Sequence, residues 1–207
     1  MINQSLFSYY LNRRHHACML VDNAMKLGLT IGLNHNIPES QVKDPTERQH
    51  RVRIWWTIYI FDRMWGSKMG LPVSILDEDI HVDMPSDTLL QQDHDEQFSD
   101  AEYMVASIRL ARIAGDTIAK IYSRRKYNET FLQRVQTLLK SLKTWVEALP
   151  EHIKLNSEDF SLTPKHIISL HLSFNQVSYR IRNIQRQVAD QIVRYPRYST
   201  NSSPCTH

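Results

Sequence analysis

Titratable and metal-ligating side chains are plentiful in this sequence, but few stand at spacings that do chemistry. His15, His16 and Cys18 crowd one short stretch. Neighbouring positions on a helix point about 100° apart, so the three do not converge on one ion. His166 and His171 miss the four-residue step that stacks two ligands on one helical face, and no His-Glu-x-x-His run occurs. The run Asp77-Glu78-Asp79, with Asp83, matches a calcium loop in charge but lacks its central glycine and spaced ligands. Solvated or capping carboxylates are the expectation there. The five glycines, at 28, 32, 66, 70 and 115, cannot assemble a phosphate-cradling loop, and there is no Gly-x-Ser-x-Gly elbow. Cys18 lies on a helical stripe and reads as a small core residue rather than a nucleophile. The expected inventory is therefore no catalytic, metal-binding or cofactor-binding residue, and no enzyme.

Arginines offer two footholds for an anionic partner. One is Arg48, His50, Arg51 and Arg53; the other is Arg180, Arg182, Arg186, Arg194 and Arg197, offset by Asp190. Both read as solvated helix faces before they read as contacts to DNA or to a membrane surface. More informative are Arg53, Asp62 and Arg63, which fall inside an apolar stretch beside Trp55, Trp56 and Trp65. Charges are rarely buried without partners, so these three are expected to be paired or to cap loops. Asp62 is expected to hold backbone amides of Gly70–Leu71–Pro72. The competing reading is a ligand pocket lined by the three tryptophans.

The elements that must position these residues are helices. Among 207 residues there are five glycines and eight prolines, too few for a sandwich of many short strands. The first helix is expected over Leu6–Leu33, fraying at Gly28 and Gly32. The second starts at Asp44 as cap with Pro45 in the first turn and Glu47 behind it, and runs to about Gly66. It is apolar on two faces: Val52, Trp55, Trp56 and Tyr59 on one, Ile54, Ile58, Phe61 and Trp65 on the other. A helix apolar on both sides is buried on both sides. Ser67–Leu90 is irregular, and Leu90–Asp100 is an acidic, exposed loop. The third helix spans about Ala101–Lys126, with Met104, Ile108, Ala111, Gly115, Ile118 and Tyr122 inward; Ala111 and Gly115 permit close helix approach. The fourth spans Glu129–Leu149 behind the cap Asn128, with Leu132, Val135, Leu139, Leu142, Val146 and Leu149 as its stripe. The fifth begins at Thr163–Pro164 and reaches Arg194, with Phe174, Val177, Ile181, Ile184 and Val188 inward. The fold class is all-α, an irregular multi-helix bundle around a buried, Trp-rich central helix.

Hydrophobic residues make up 42% and charged residues 23%, an ordinary globular balance that argues against wholesale disorder. The net charge of +3 is too mild to imply nucleic-acid binding by itself. Mean hydropathy is −0.44 and no uncharged apolar run approaches the ~18 residues that cross a bilayer. Met1–Leu11 has no basic stretch of the secretory type. Two cysteines, Cys18 and Cys205, exclude a disulfide framework and a cysteine-built zinc module in this chain.

The segment RQHRVRIWWTIYIFDRMWGSKMGLPVSILDEDIHVDMP, Arg48–Pro85, resembles the regulatory middle region of fungal zinc-cluster transcription factors, the fungal-specific or xylanolytic activator domain. The resemblance rests on Arg51, Arg53, Trp55, Trp56, Tyr59, Asp62, Arg63, Gly70, Pro72, Asp77, Asp79, Asp83 and Pro85. Upstream, the helix ending at Gly32–Leu33 agrees; downstream, Ile121–Tyr122 and Leu142–Trp145–Leu149–Pro150 agree. It covers residues 9 to 176. It implies an all-helical regulatory module of a nuclear transcription regulator. In such proteins a separate six-cysteine, two-zinc cluster binds DNA, so zinc and DNA are expected only through a module outside this chain. Dimerisation with related factors and small-molecule effectors are implied partners, and a membrane is not. The expected organisation is a middle domain over 1–176 truncated at both ends, a divergent polar helix over 177–194 and a disordered tail over 195–207. The alternative is a free-standing helical interaction protein, or dominant-negative regulator, that does not bind DNA.

Overall fold

A computed structural model describes residues 1–88, 100–123, 126–155 and 163–194. The expected loop Leu90–Asp100 falls almost wholly outside these residues, and the expected tail lies outside them entirely. The described residues form an all-α fold: α1 (Ile2–Tyr10), α2 (Arg14–Thr30), α3 (Pro45–Met69), α4 (Ala101–Thr117), α5 (Phe131–Glu147) and α6 (Lys165–Arg194).

The single first helix is in fact two. Asn12 takes a left-handed φ of 59°, which a helix cannot pass through, and the chain turns back so that α1 packs on α2. Asn tolerates this conformation better than most residues. The start of α3 is as its sequence dictates: the Asp44 carboxylate accepts from the Thr46 amide at 2.9 Å, with Pro45 in the first turn. Its end is one turn later than Gly66. Gly70 stops it in the left-handed region at φ 70°, where a side chain would be strained.

Helix α3 is the hub, packed on α2 to one side and on α4 to the other. Trp55 and Tyr59 are fully buried, Trp56 is 1% exposed, and Ile58 and Trp65 are buried with them. Burying each large side chain contributes about 1.5–3 kcal/mol, so α3 anchors the core. Its second face is less deeply sunk than expected, since Ile54 is 40% exposed.

Helix α4 ends at Thr117 and gives way to a wider π turn over Ile118–Tyr122. That turn rotates the following residues off the stripe, leaving Ile118 buried and Tyr122 exposed. Helix α5 begins two residues after the expected start. Thr130, not Asn128, caps it in a capping box: the Gln133 amide donates to the Thr130 hydroxyl at 3.3 Å, and the Thr130 amide donates to Gln133 Oε1 at 2.8 Å. Its buried face is Val135, Leu138, Leu142, Trp145 and Leu149, while Leu132 and Val146 of the expected stripe are exposed. Trp145 sets this rotation. Its indole N–H donates to the Ala106 carbonyl at 2.8 Å, and its ring stacks on Phe174 at 5.2 Å. Helix α6 continues unbroken past Gln176, with Val177 and Ile181 buried against the bundle.

Candidate functional site

The charged residues of α3 define the candidate site. Arg63 is 3% exposed, and its guanidinium reaches four partners at once. It donates to the Asp62 carboxylate at 2.5 Å, to the Ile75 carbonyl at 2.5 Å and to Asp77 at 3.0 Å, and it lies over the Tyr59 ring at 4.4 Å. The Tyr59 hydroxyl donates to the same Asp77 carboxylate at 2.9 Å, and Arg112 of α4 approaches its other oxygen at 2.7 Å. Asp62 is completed by the Ser74 hydroxyl, which donates to one carboxylate oxygen, and by the more distant Ser74 amide at 3.4 Å from the other. Each buried charge therefore has an opposite charge and further hydrogen bonds, the condition under which burial is tolerated.

The expectation that Asp62 holds amides of Gly70–Leu71–Pro72 is corrected. The chain must first turn at Gly70 and run past Pro72 before its groups face α3, so Ser74 and Ile75 are the loop residues held. Gly70 and Pro72 shape that turn and are exposed. Gly115 of α4 completes the enclosure. A Cβ there would lie 2.7 Å from Arg63 Cδ, so the absence of a side chain lets α4 close over the guanidinium stem.

The electrostatics follow the geometry. Burial pushes the Tyr59 phenol up to about 12, the nearby Asp77 adds to the rise, and Arg63 opposes it. Burial works against the Arg63 charge, but Tyr59, Asp62 and Asp77 outweigh it and hold the guanidinium firmly protonated. Burial, with Asp22 and then Asp62 behind it, raises the Cys18 thiol, which disfavours the reactive thiolate.

A second set of bonds pins the remainder of the loop. The Trp56 indole donates to the Asp83 carbonyl at 2.8 Å. The Asn34 side-chain amide donates to the Asp79 carbonyl at 3.2 Å, and the His81 amide donates to the Asn34 carbonyl at 2.8 Å. Buried Arg53 pairs with Asp87, whose other oxygen accepts from the Ala101 amide at 2.9 Å at the start of α4. Pro85 is buried beside this junction. Arg51 stands apart, half-buried near the N-terminal end of α3. The structure thus gathers Arg53, Trp56, Tyr59, Asp62, Arg63, Asp77, Asp79, Asp83 and Pro85 along one strap, residues 70–87, laid across α3. Sequence reasoning missed Ser74, Asp87 and Arg112, which carry no local signal because their partners are 12 to 35 positions away.

The remaining candidates disperse. Trp55 and Trp56 are core side chains, whereas Trp65 borders a cavity of about 380 Å³. The three-tryptophan pocket of the competing reading does not form: Trp55 and Trp56 are closed off in the core, and the Trp56 indole is bonded to the strap. His15 and His16 are exposed and Cys18 is buried. Arg48 is taken up by Glu39 at 2.5 Å, and Arg180 donates to the Lys68 carbonyl at 2.9 Å. Among the described residues, Asp100, Glu102 and His152 form an exposed trio with ligand atoms within 4.8 Å of one another. Its members already have work: the Asp100 carboxylate caps α4 at the Glu102 amide and lies 2.7 Å from His152 Nε2.

The sequence that builds this all-α bundle and its acidic strap matches a known family. The model of the fungal-specific transcription factor domain matches residues 4–147, and the chain belongs to that family. Relatives include the transcriptional activator protein acu-15 of Neurospora crassa, 30% identical over 142 residues, which are 62% of this chain and 15% of that protein. A transcriptional regulatory protein of Schizosaccharomyces pombe, C3C7.04, is 24% identical over 69% of this chain and 18% of its own length. Activator of stress genes 1 of Saccharomyces cerevisiae is 25% identical over 74% of this chain and 17% of its own. The chain spans less than a fifth of the length of each. No solved structure matches it. No helix among the described residues is long and apolar enough to cross a membrane.

Proposed function

We propose that this chain is the regulatory domain of a larger nuclear transcription regulator, and that it acts without catalysis. The family match over residues 4–147 carries this reading, because it takes in α1 to α5 and the whole strap. Relatives named as transcriptional activators and regulators support it. The buried charges support the non-enzymatic part. Arg63, Asp62 and Asp77 spend their hydrogen bonds on one another and on the loop, the arrangement of a structural cluster. In this reading DNA and zinc are bound by a six-cysteine module elsewhere in the longer protein.

The mechanism is a population shift. The strap touches α3 directly and α4 through Arg112 and Asp87, so an effector or partner that moves α4 must also reset the strap. The test is transcriptional. The full chain, fused to an unrelated DNA-binding domain, should change the output of a reporter bearing that domain's site by several-fold relative to the domain alone. An unchanged output at matched protein level would contradict the reading.

A further inference from the structure

Beneath α1, between α3, α4 and α6, lies the cavity of about 380 Å³ that Trp65 borders. That volume is within the range of small-molecule sites. Its walls are unusually aromatic: Tyr9, Phe61, Trp65 and Tyr103 all line it. Tyr9 stacks on Trp65 at 4.8 Å and Phe61 meets Trp65 edge-on at 5.0 Å, so the rings form a preassembled wall. Ser173 of α6 is also among the lining residues.

The cavity's charge has one sign. Lys68 is among its lining residues, and none of the lining residues is acidic. Among the described residues, the partners of the Lys68 ammonium are neutral: the Tyr9 hydroxyl at 3.5 Å and the Tyr9 ring at 5.2 Å. A second cation, Arg180, is anchored on the Lys68 carbonyl at 2.9 Å. An aromatic wall with a cation unmatched by any lining carboxylate selects a flat ring bearing a negative charge.

We propose that this cavity is a ligand site for small aromatic carboxylates, with the ring against Phe61, Trp65 and Tyr103 and the carboxylate on Lys68. This deepens the regulatory reading and rests on it for its biological meaning. Trp65 is on α3 and Tyr103 on α4, so an occupant would fix the spacing of the two helices that the strap joins.

The test uses 2-naphthoate as the probe and 2-naphthalenemethanol as its neutral twin. Binding to the full chain is read by calorimetry and by quenching of tryptophan fluorescence. Naphthoate should bind saturably, and the alcohol about tenfold more weakly. Lys68→Met should abolish that preference while leaving alcohol binding intact. Ser173→Phe, which fills the cavity, should weaken both. Far-UV circular dichroism and melting temperature establish that each variant is folded, and unchanged affinity of both probes in folded Ser173→Phe would place the binding outside this cavity and overturn the proposal. Equal affinity for the two probes, a preference that survives Lys68→Met, or no saturable binding would overturn the proposal. Because the assay needs no DNA or reporter, such a failure leaves the transcriptional reading to its own experiment.

Discussion

Arg63 and Asp62 hold each other in a nearly dry environment, at 3% and 6% exposure; removing Arg63 strips Asp62 of its counterion, and removing Asp62 leaves the buried guanidinium with Asp77 as its remaining carboxylate. Asp62→Ala should cost about 3 kcal/mol, the scale of a broken buried pair, measured by urea unfolding. A loss of under ~0.5 kcal/mol, typical of surface substitutions, would refute that burial. Tyr59 gives a pH signature. Its folded pKa of about 12 lies above its ordinary value of 10.0, so the folded state keeps the proton more tightly. The stability this confers is complete below pH 10 and is lost as pH rises through about 12. Tyr59→Phe should remove that alkaline loss, so melting curves of the two proteins should converge between those limits; parallel curves would speak against it. That Arg53, Asp62 and Arg63 are buried and paired was legible from charges set among tryptophans. Their distant partners were not, because Ser74, Asp77 and Asp87 reach them only once the chain folds back.

At the scale of elements, two buried glycines make opposite predictions. A Cβ at Gly28 in α2 would meet Ile58, Leu33 and Trp55 at 3.5 to 3.7 Å, ordinary contact distances. Gly28→Ala should therefore stabilise the protein by ~0.5–1 kcal/mol, the helix-propensity gain. Gly115→Ala has the same propensity gain but drives a Cβ to 2.7 Å from an Arg63 stem whose guanidinium is fixed by Asp62, Asp77 and Ile75. It should destabilise despite the better helix former, and thermal unfolding of the two variants should shift in opposite directions. The periodicity of α3, α4 and α6 could be read because caps or breakers frame their apolar stripes. In α5 it could be read only to within one position. Leu132-Val135-Leu139-Leu142-Val146 and Val135-Leu138-Leu142-Trp145-Leu149 both fit helical spacing, and the choice is made by Trp145 reaching across to Ala106 and Phe174. The break between α1 and α2 was hidden because Asn12 is not a strong punctuator; its left-handed backbone is permitted rather than demanded.

For the molecule as a whole, the all-α architecture followed from scarce glycine and proline and from long apolar stripes, and the family resemblance from the same segment that the fold turns into a strap. Residues 70–87 contain little regular structure, only a short 3₁₀ turn at Asp77–Asp79, yet they are bonded to α3, α4 and the α2–α3 loop at once. Arg63 is the pin of this strap. Hydrogen–deuterium exchange on the wild-type chain and on Arg63→Met tests it directly. Peptides covering residues 70–87 should lose protection in the variant, while α5, which makes none of the pin's bonds, keeps most of its own. Unchanged protection across 70–87 would contradict it.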